Sequence, residues 1–216
     1  MHISEGVLSG SVLISGGVLA AAGTAIGLKK LDYDRIANVS ILSASFFVAS
    51  LIHVPVGPSN VHLVLNGIVG LLLGWAAFPA IMVALLLQAV LFQFGGITSL
   101  GVNTITMAMP SVLCYYFFKS MILKESAVAF ISAFACGFIS VFFSAVLVGL
   151  ALMTTDENFL EISGLVMVAH FPVMLIEGII TAFFISFIKK VQPSMLPGFL
   201  AVGQLKKLPR NCTEIH

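Results

Sequence analysis

The chain has 216 residues, of which 59% are hydrophobic and only 9% charged, and its mean hydropathy of +1.12 lies far outside the range of a soluble domain. The formal net charge of +1 argues against a nucleic-acid partner, because phosphate binding needs Lys and Arg clustered on an exposed face. A bilayer core of ~30 Å takes about 20 apolar residues per helix, so about seven spans fill the chain and leave no room for a soluble catalytic domain.

In chain order, the apolar runs between breakers predict spans near residues 8–28, 37–53, 61–77, 79–94, 104–118, 127–153 and 164–188. The first Lys is Lys29, beyond the first apolar run, and no small-residue cleavage site leads into a polar mature chain. The first span is therefore expected to be retained rather than removed as a signal peptide. With bulky His2 following it, Met1 is expected to stay and to present a free α-amine. The tight hinge at Phe78 and Pro79 is where two spans could merge. Small residues such as Gly67, Gly70 and Gly74, and those at 20–23, let helices approach closely in lipid. The expected fold is an all-α integral membrane protein, a compact bundle of about seven transmembrane helices.

All ten Lys and Arg fall in three segments: Lys29, Lys30 and Arg35 after the first span, Lys119 and Lys124 after the fifth, and Lys189, Lys190, Lys206, Lys207 and Arg210 at the end. Positive segments stay cytoplasmic. Seven spans put these three on one side, so the N-terminus is expected outside and the C-terminus in the cytoplasm. Residues 1–190 then form a single transmembrane domain and residues 191–216 a cytoplasmic tail. The outer side carries "MHISEG", "HVPVGPSNVH" (53–62), "GGITSLGVN" (95–103) and "TTDENFLE" (154–161), none with a Lys or Arg. That side is hospitable to a cation. Pro and Gly make the 53–62 loop stiff. The 95–103 stretch is too apolar at Ile97, Leu100 and Val102 for a solvated loop, and is expected to fold into the bundle mouth.

A chain that begins Met-His offers a chelate. The Met1 α-amine and the His2 amide nitrogen close a five-membered ring on a metal, and the amide and the His2 imidazole Nδ1 close a six-membered one. Deprotonating the amide takes a strongly polarising late first-row ion. A fourth nitrogen would complete a square plane, the geometry of Ni²⁺ or Cu²⁺ with Co²⁺ chemically close, whereas Zn²⁺ prefers a tetrahedron and Ca²⁺ prefers oxygen. His62 is the candidate fourth ligand and His53, in the same loop, the competitor. The domain's metal site is thus expected between the N-terminus and the loop joining the second and third spans.

Among buried polar residues, Gln93 and Asn103, with His53 beside them, are candidates to orient the ligands, and Gln88 is a similar intramembrane amide. His170 and Glu177, seven residues apart on one face of the last span, are read as structural anchors. Ionisable groups at such depth cost ~2.5–3.5 kcal/mol on insertion scales and need interior partners. Cys114, Cys136 and Cys212 show no metal-binding or disulfide spacing. No phosphate-cradling loop, zinc-protease motif or nucleophile elbow is present, so the chain is not expected to be an enzyme or to hydrolyse ATP alone. A haem protein ligated through His53 and His170 is the competing class. It suffers because His53 lies at a span end and no second helix carries paired histidines.

The stretches "MHISEGVL", "VPVGPSNVHLVLNGIVGLLLGW", "LFQFGGITSLGVNTITMAMP" and "AHFPVMLIEGIITA" together resemble the substrate-binding subunits of cobalt and nickel energy-coupling-factor transporters, the CbiM/NikM family. The resemblance covers nearly the whole chain. It implies a bacterial or archaeal multi-pass protein of the cytoplasmic membrane that captures Co²⁺ or Ni²⁺ at its outer face. The metal would be held by the Met1 amine, the His2 amide and imidazole, and the imidazole of His62, not His53. It also implies partners: a transmembrane coupling subunit, two ABC ATPase subunits and often a small accessory membrane subunit, docked through small-residue helix faces. Ser4 departs from the commoner Pro or Met of relatives, and "VGPSN" replaces a Pro-Gly-Gly-type turn. The short chain and "VHLVLNG" favour cobalt, for cobalamin biosynthesis, over nickel, for nickel enzymes.

Overall fold

The computed structural model describes residues 2–56, 59–155 and 160–196. Met1, positions 57 and 58 of the outer loop, the acidic stretch 156–159 and most of the tail lie outside the described residues. Runs of Leu, Val, Ile, Ala and Phe, interrupted by Gly, Pro and polar clusters, form α1 (Gly10–Lys29), α2 (Ile36–Ala49), α3 (Asn66–Leu73), α4 (Ala77–Phe92), α5 (Leu100–Phe118), α6 (Ser126–Met153) and α7 (Leu160–Val191). Each of the seven apolar runs read from the sequence overlaps one of these helices. Among the described residues, four stretches are long and apolar enough to cross a bilayer by themselves: Gly10–Lys29, Asn66–Phe92, Ser126–Met153 and Met167–Val191.

The second of these stretches is not one straight helix. His62, just before α3, and Gln88, near the end of α4, both meet His2. At their other ends, Trp75 and Pro79 press on Gly27 near the end of α1. The two helices are therefore antiparallel, and a 3-10 turn over Gly74–Ala76 joins them. Gly74 makes the reversal with φ 55 and ψ −123, a region costly for any residue with a Cβ. Pro79 is not the hinge. It sits in the first turn of α4, where its missing N–H leaves no helical bond unmade.

The adjoining ends of the second and third expected spans are not helical. α2 stops at Ala49 and α3 starts at Asn66; between them β1 (His53–Val56) and β2 (Ser59–His62) pair as an antiparallel hairpin. Val54, Val56 and Val61 raise the local hydropathy like a membrane helix, but Pro55 and Pro58 among β-branched residues favour extended chain.

α6 and α7 pack along most of their length, and α5 touches α1, α3, α4 and α6. α3 is the innermost element, every residue from Asn66 to Leu72 being buried. Small residues make this closeness possible: a Cβ on Gly67 would lie 2.7 Å from Gly137 Cα across the α3–α6 contact. Gly70 likewise faces Ser111 backbone and Gly23 faces the Phe78 ring. The small residues at 67–74 and 20–23 thus serve the close helix packing expected of them.

Candidate metal site

The N-terminal residues reach the mouth of the bundle because their main chain is held on several sides. The Ile3 N–H donates to Asn103 Oδ1 at 2.9 Å, while the Ile3 carbonyl accepts from Asn103 Nδ2 at 3.1 Å and from Ser99 Oγ at 2.8 Å. Asn103, in the first turn of α5, so pairs with the segment as a neighbouring strand would. The Glu5 carboxylate accepts the Thr98 N–H at 3.2 Å, and the Ser9 N–H donates to Thr155 Oγ1 at 3.3 Å at the end of α6. Glu5 lies against Gly96, at φ +156, where a Cβ would collide with its side chain. The 95–99 stretch therefore packs onto the N-terminus through Gly96, Thr98 and Ser99, but Ile97 stays 64% exposed, against the expectation that it turns into the bundle mouth.

These bonds deliver His2 to the end of α4, where its Nε2 meets Gln88 Oε1 at 2.7 Å. A chain of donors sets the tautomer. The Ser50 hydroxyl donates to the Phe47 carbonyl, so it accepts from Gln88 Nε2. The Gln88 carbonyl oxygen then faces His2 and accepts a proton carried on Nε2, which leaves the ring's lone pair on Nδ1. That is the nitrogen the six-membered chelate requires. Gln88 and Ser50 are fully buried, so neither amide nor hydroxyl can exchange its partner for water.

His62, the last residue of β2, brings its ring to 4.6 Å from that of His2, centroid to centroid, at an interplanar angle of 33°. Its Nδ1 donates to the Leu63 carbonyl at 3.1 Å, which leaves the lone pair on Nε2. Metal–nitrogen bonds of ~2.0–2.1 Å would put two rings on adjacent corners of one ion at roughly this centroid separation, and rings on opposite corners well beyond it. Two imidazoles do not make a complete ligand set. Among the described residues no three His, Cys, Asp or Glu side chains converge.

His62 is anchored from both sides. Upstream, the hairpin register sets its backbone opposite that of His53. Downstream, Glu177 of α7 accepts the N–H groups of Val64 and Leu65, the second at 2.9 Å. Leu65 bends left-handed at φ 51 before α3 begins. The carboxylate oxygen thus accepts the N–H of the N-cap residue of α3 and of the residue before it, the role of the N3 carboxylate in a capping box, but from another helix, where the positive helix end favours an acceptor.

Of the residues singled out in the sequence, His2 and His62 come together, and Asn103 acts on the Ile3 main chain rather than on an imidazole. Gln93 lies exposed at the left-handed end of α4, φ 56, with Gln88 in the position beside His2. His53 is known here by its backbone alone, and Met1 lies outside the described residues. His170 is buried on α7, seven residues before Glu177. The sequence carried no sign that Glu177 would grip the segment after His62, because its partners are main-chain groups.

Gln88→Ala removes the acceptor that fixes the His2 tautomer. The expected result is metal affinity lower by roughly 10–100-fold, the usual cost of losing such a support, with an unchanged melting temperature of the metal-free protein within a few degrees. Titration calorimetry reads the affinity and a thermal scan the melting temperature; unchanged affinity would mean that His2 needs no orienting partner.

The family model described as the cobalt uptake substrate-specific transmembrane region, CbiM, matches residues 2–195. A protein of Haemophilus influenzae named for metal transport is 43% identical over 202 residues, covering 91% of this chain and 97% of its own. The cobalt transport protein CbiM of Sorangium cellulosum is 26% identical over 212 residues, covering 91% and 94%. A crystal structure of a transition metal transporter superposes with a TM-score of 0.71 at 25% identity, over 88% of this chain and 93% of that one.

Proposed function

This chain belongs to the CbiM family of cobalt-uptake substrate-specific transmembrane regions, and on that premise we propose that it is the substrate-binding subunit of an energy-coupling-factor importer. It captures Co²⁺ or Ni²⁺ at the outer face of a bacterial or archaeal cytoplasmic membrane. One observation carries the reading: His2 and His62 stand ring to ring, each with its proton set on the nitrogen turned to a protein acceptor. The Met1 amine, the His2 amide nitrogen, His2 Nδ1 and His62 Nε2 would together supply four nitrogens, a donor set suited to these two ions. Cobalt is the preferred substrate in this reading, in keeping with the cobalt-uptake family to which the chain belongs.

In this reading all seven helices cross the bilayer, α3 as a short inner half-crossing continued outward by the hairpin, and the N-terminus is outside. The Lys and Arg at the ends of α1, α5 and α7 face the cytoplasm. The chain has no phosphate-cradling loop of its own, so energy comes from a coupling subunit with two ATPase subunits, often with a small accessory membrane subunit.

Orientation tests the direction of transport. In a Cys212→Ser background, with Cys114 and Cys136 buried, Thr154→Cys at the exposed end of α6 is expected to react with an impermeant maleimide in intact cells. Labelling only in inverted vesicles would place the site on the cytoplasmic side and contradict uptake.

A further inference from the structure

At the end of the bundle away from His2, three helix ends enclose a cavity of about 300 Å³. Its wall holds Lys30 after α1, Trp75 in the α3–α4 turn, and Tyr115, Tyr116 and Lys119 at the end of α5. Lys30 Nζ lies 5.1 Å from the centre of the Trp75 ring, and Lys119 Nζ lies 4.9 Å and 5.0 Å from those of Tyr115 and Tyr116. Trp75 Nε1 donates to the Tyr116 hydroxyl at 2.9 Å, bracing the aromatic floor on which both ammonium groups rest.

No carboxylate lines this cavity. Among the described residues neither ammonium makes a hydrogen bond or an ion pair, unlike Lys189, whose Nζ donates to the Lys124 carbonyl at a nearby helix end. Capping a helix end therefore does not account for Lys30 and Lys119. Two positive charges converge on one hollow that holds no counter-charge. Just beside it, α1 and α5 expose Ile26, Leu28, Leu113 and Phe117, apolar surface that belongs in lipid. The cavity thus sits where acyl chains give way to headgroups, with Trp and Tyr at the boundary.

We propose that this cavity binds the phosphodiester headgroup of an anionic phospholipid. Lys30 and Lys119 contact the phosphate oxygens, and the acyl chains lie along the exposed faces of α1 and α5. Basic pockets between membrane helices take such headgroups. Free inorganic phosphate presents the same anion, but it would make no use of the adjoining apolar faces.

Native mass spectrometry of the full chain in detergent, titrated with phosphatidylglycerol or with phosphatidylcholine of the same acyl chains, tests the assignment. The unmodified protein is expected to retain phosphatidylglycerol preferentially. The Lys30→Gln/Lys119→Gln pair should lose about thirtyfold of that preference, at about fivefold per lysine. Lys124→Gln, outside the cavity, should keep it, as should the charge-retaining Lys30→Arg/Lys119→Arg pair. Equal retention of both lipids, an undiminished preference in the Gln pair, or an equal loss in Lys124→Gln would overturn the proposal. So would displacement of phosphatidylglycerol by millimolar inorganic phosphate, which would assign the cavity to the free anion.

Discussion

Replacing His62 by alanine is expected to weaken Co²⁺ or Ni²⁺ binding by more than about 100-fold, beyond the range seen when only a supporting residue is lost. The ring of His62 is buried and faces that of His2 at 4.6 Å. His53→Ala is expected to leave binding measurable, because the proposed ligand set does not include it. Isothermal titration of both variants ranks them. If His53→Ala abolished binding while His62→Ala retained it, the two histidines opposed in the hairpin register would have to exchange roles.

An extra residue placed before Met1 is expected to be comparably damaging. It converts the α-amine into an amide, removes the nitrogen that closes the five-membered ring, and moves a bulky group into the mouth where Ile3 is fixed by Asn103 and Ser99. Because those bonds hold the chain from Ile3 onward, the added residue cannot be absorbed by sliding the segment inward. A loss of about 100-fold in affinity is expected, larger than that from removing one supporting contact, together with a changed visible spectrum of the Ni²⁺ complex. An extended protein with the same affinity and spectrum would exclude the amine as a ligand.

The apolar runs were legible because helices in lipid need long hydrophobic stretches, and the meeting of His2 with His62 was legible because both stand in segments without Lys or Arg. Other features were hidden for physical reasons. The hairpin was masked by valines that score as membrane helix. The reversal at Gly74 was masked by Pro79, a stronger local breaker that proves to be a helix start. Gln88 could not be distinguished from Gln93 because α4 is apolar all round, so no polar stripe fixes which face turns inward. Glu177 was recognisable as an intramembrane carboxylate needing a partner. Its partners, the N–H groups of Val64 and Leu65, become available only once the chain leaves the hairpin and bends before α3.

The claim that this chain captures a single late first-row divalent ion through nitrogen donors is tested most directly by equilibrium dialysis of the purified protein with metal analysis, run with Co²⁺, Ni²⁺, Zn²⁺ and Mg²⁺ in competition and with the visible spectrum recorded. The account predicts one Co²⁺ or Ni²⁺ per chain, undisplaced by excess Mg²⁺ and outcompeting Zn²⁺, with no haem band. Absence of saturable Co²⁺ and Ni²⁺ binding, or preferential retention of Zn²⁺ or Mg²⁺, would contradict it.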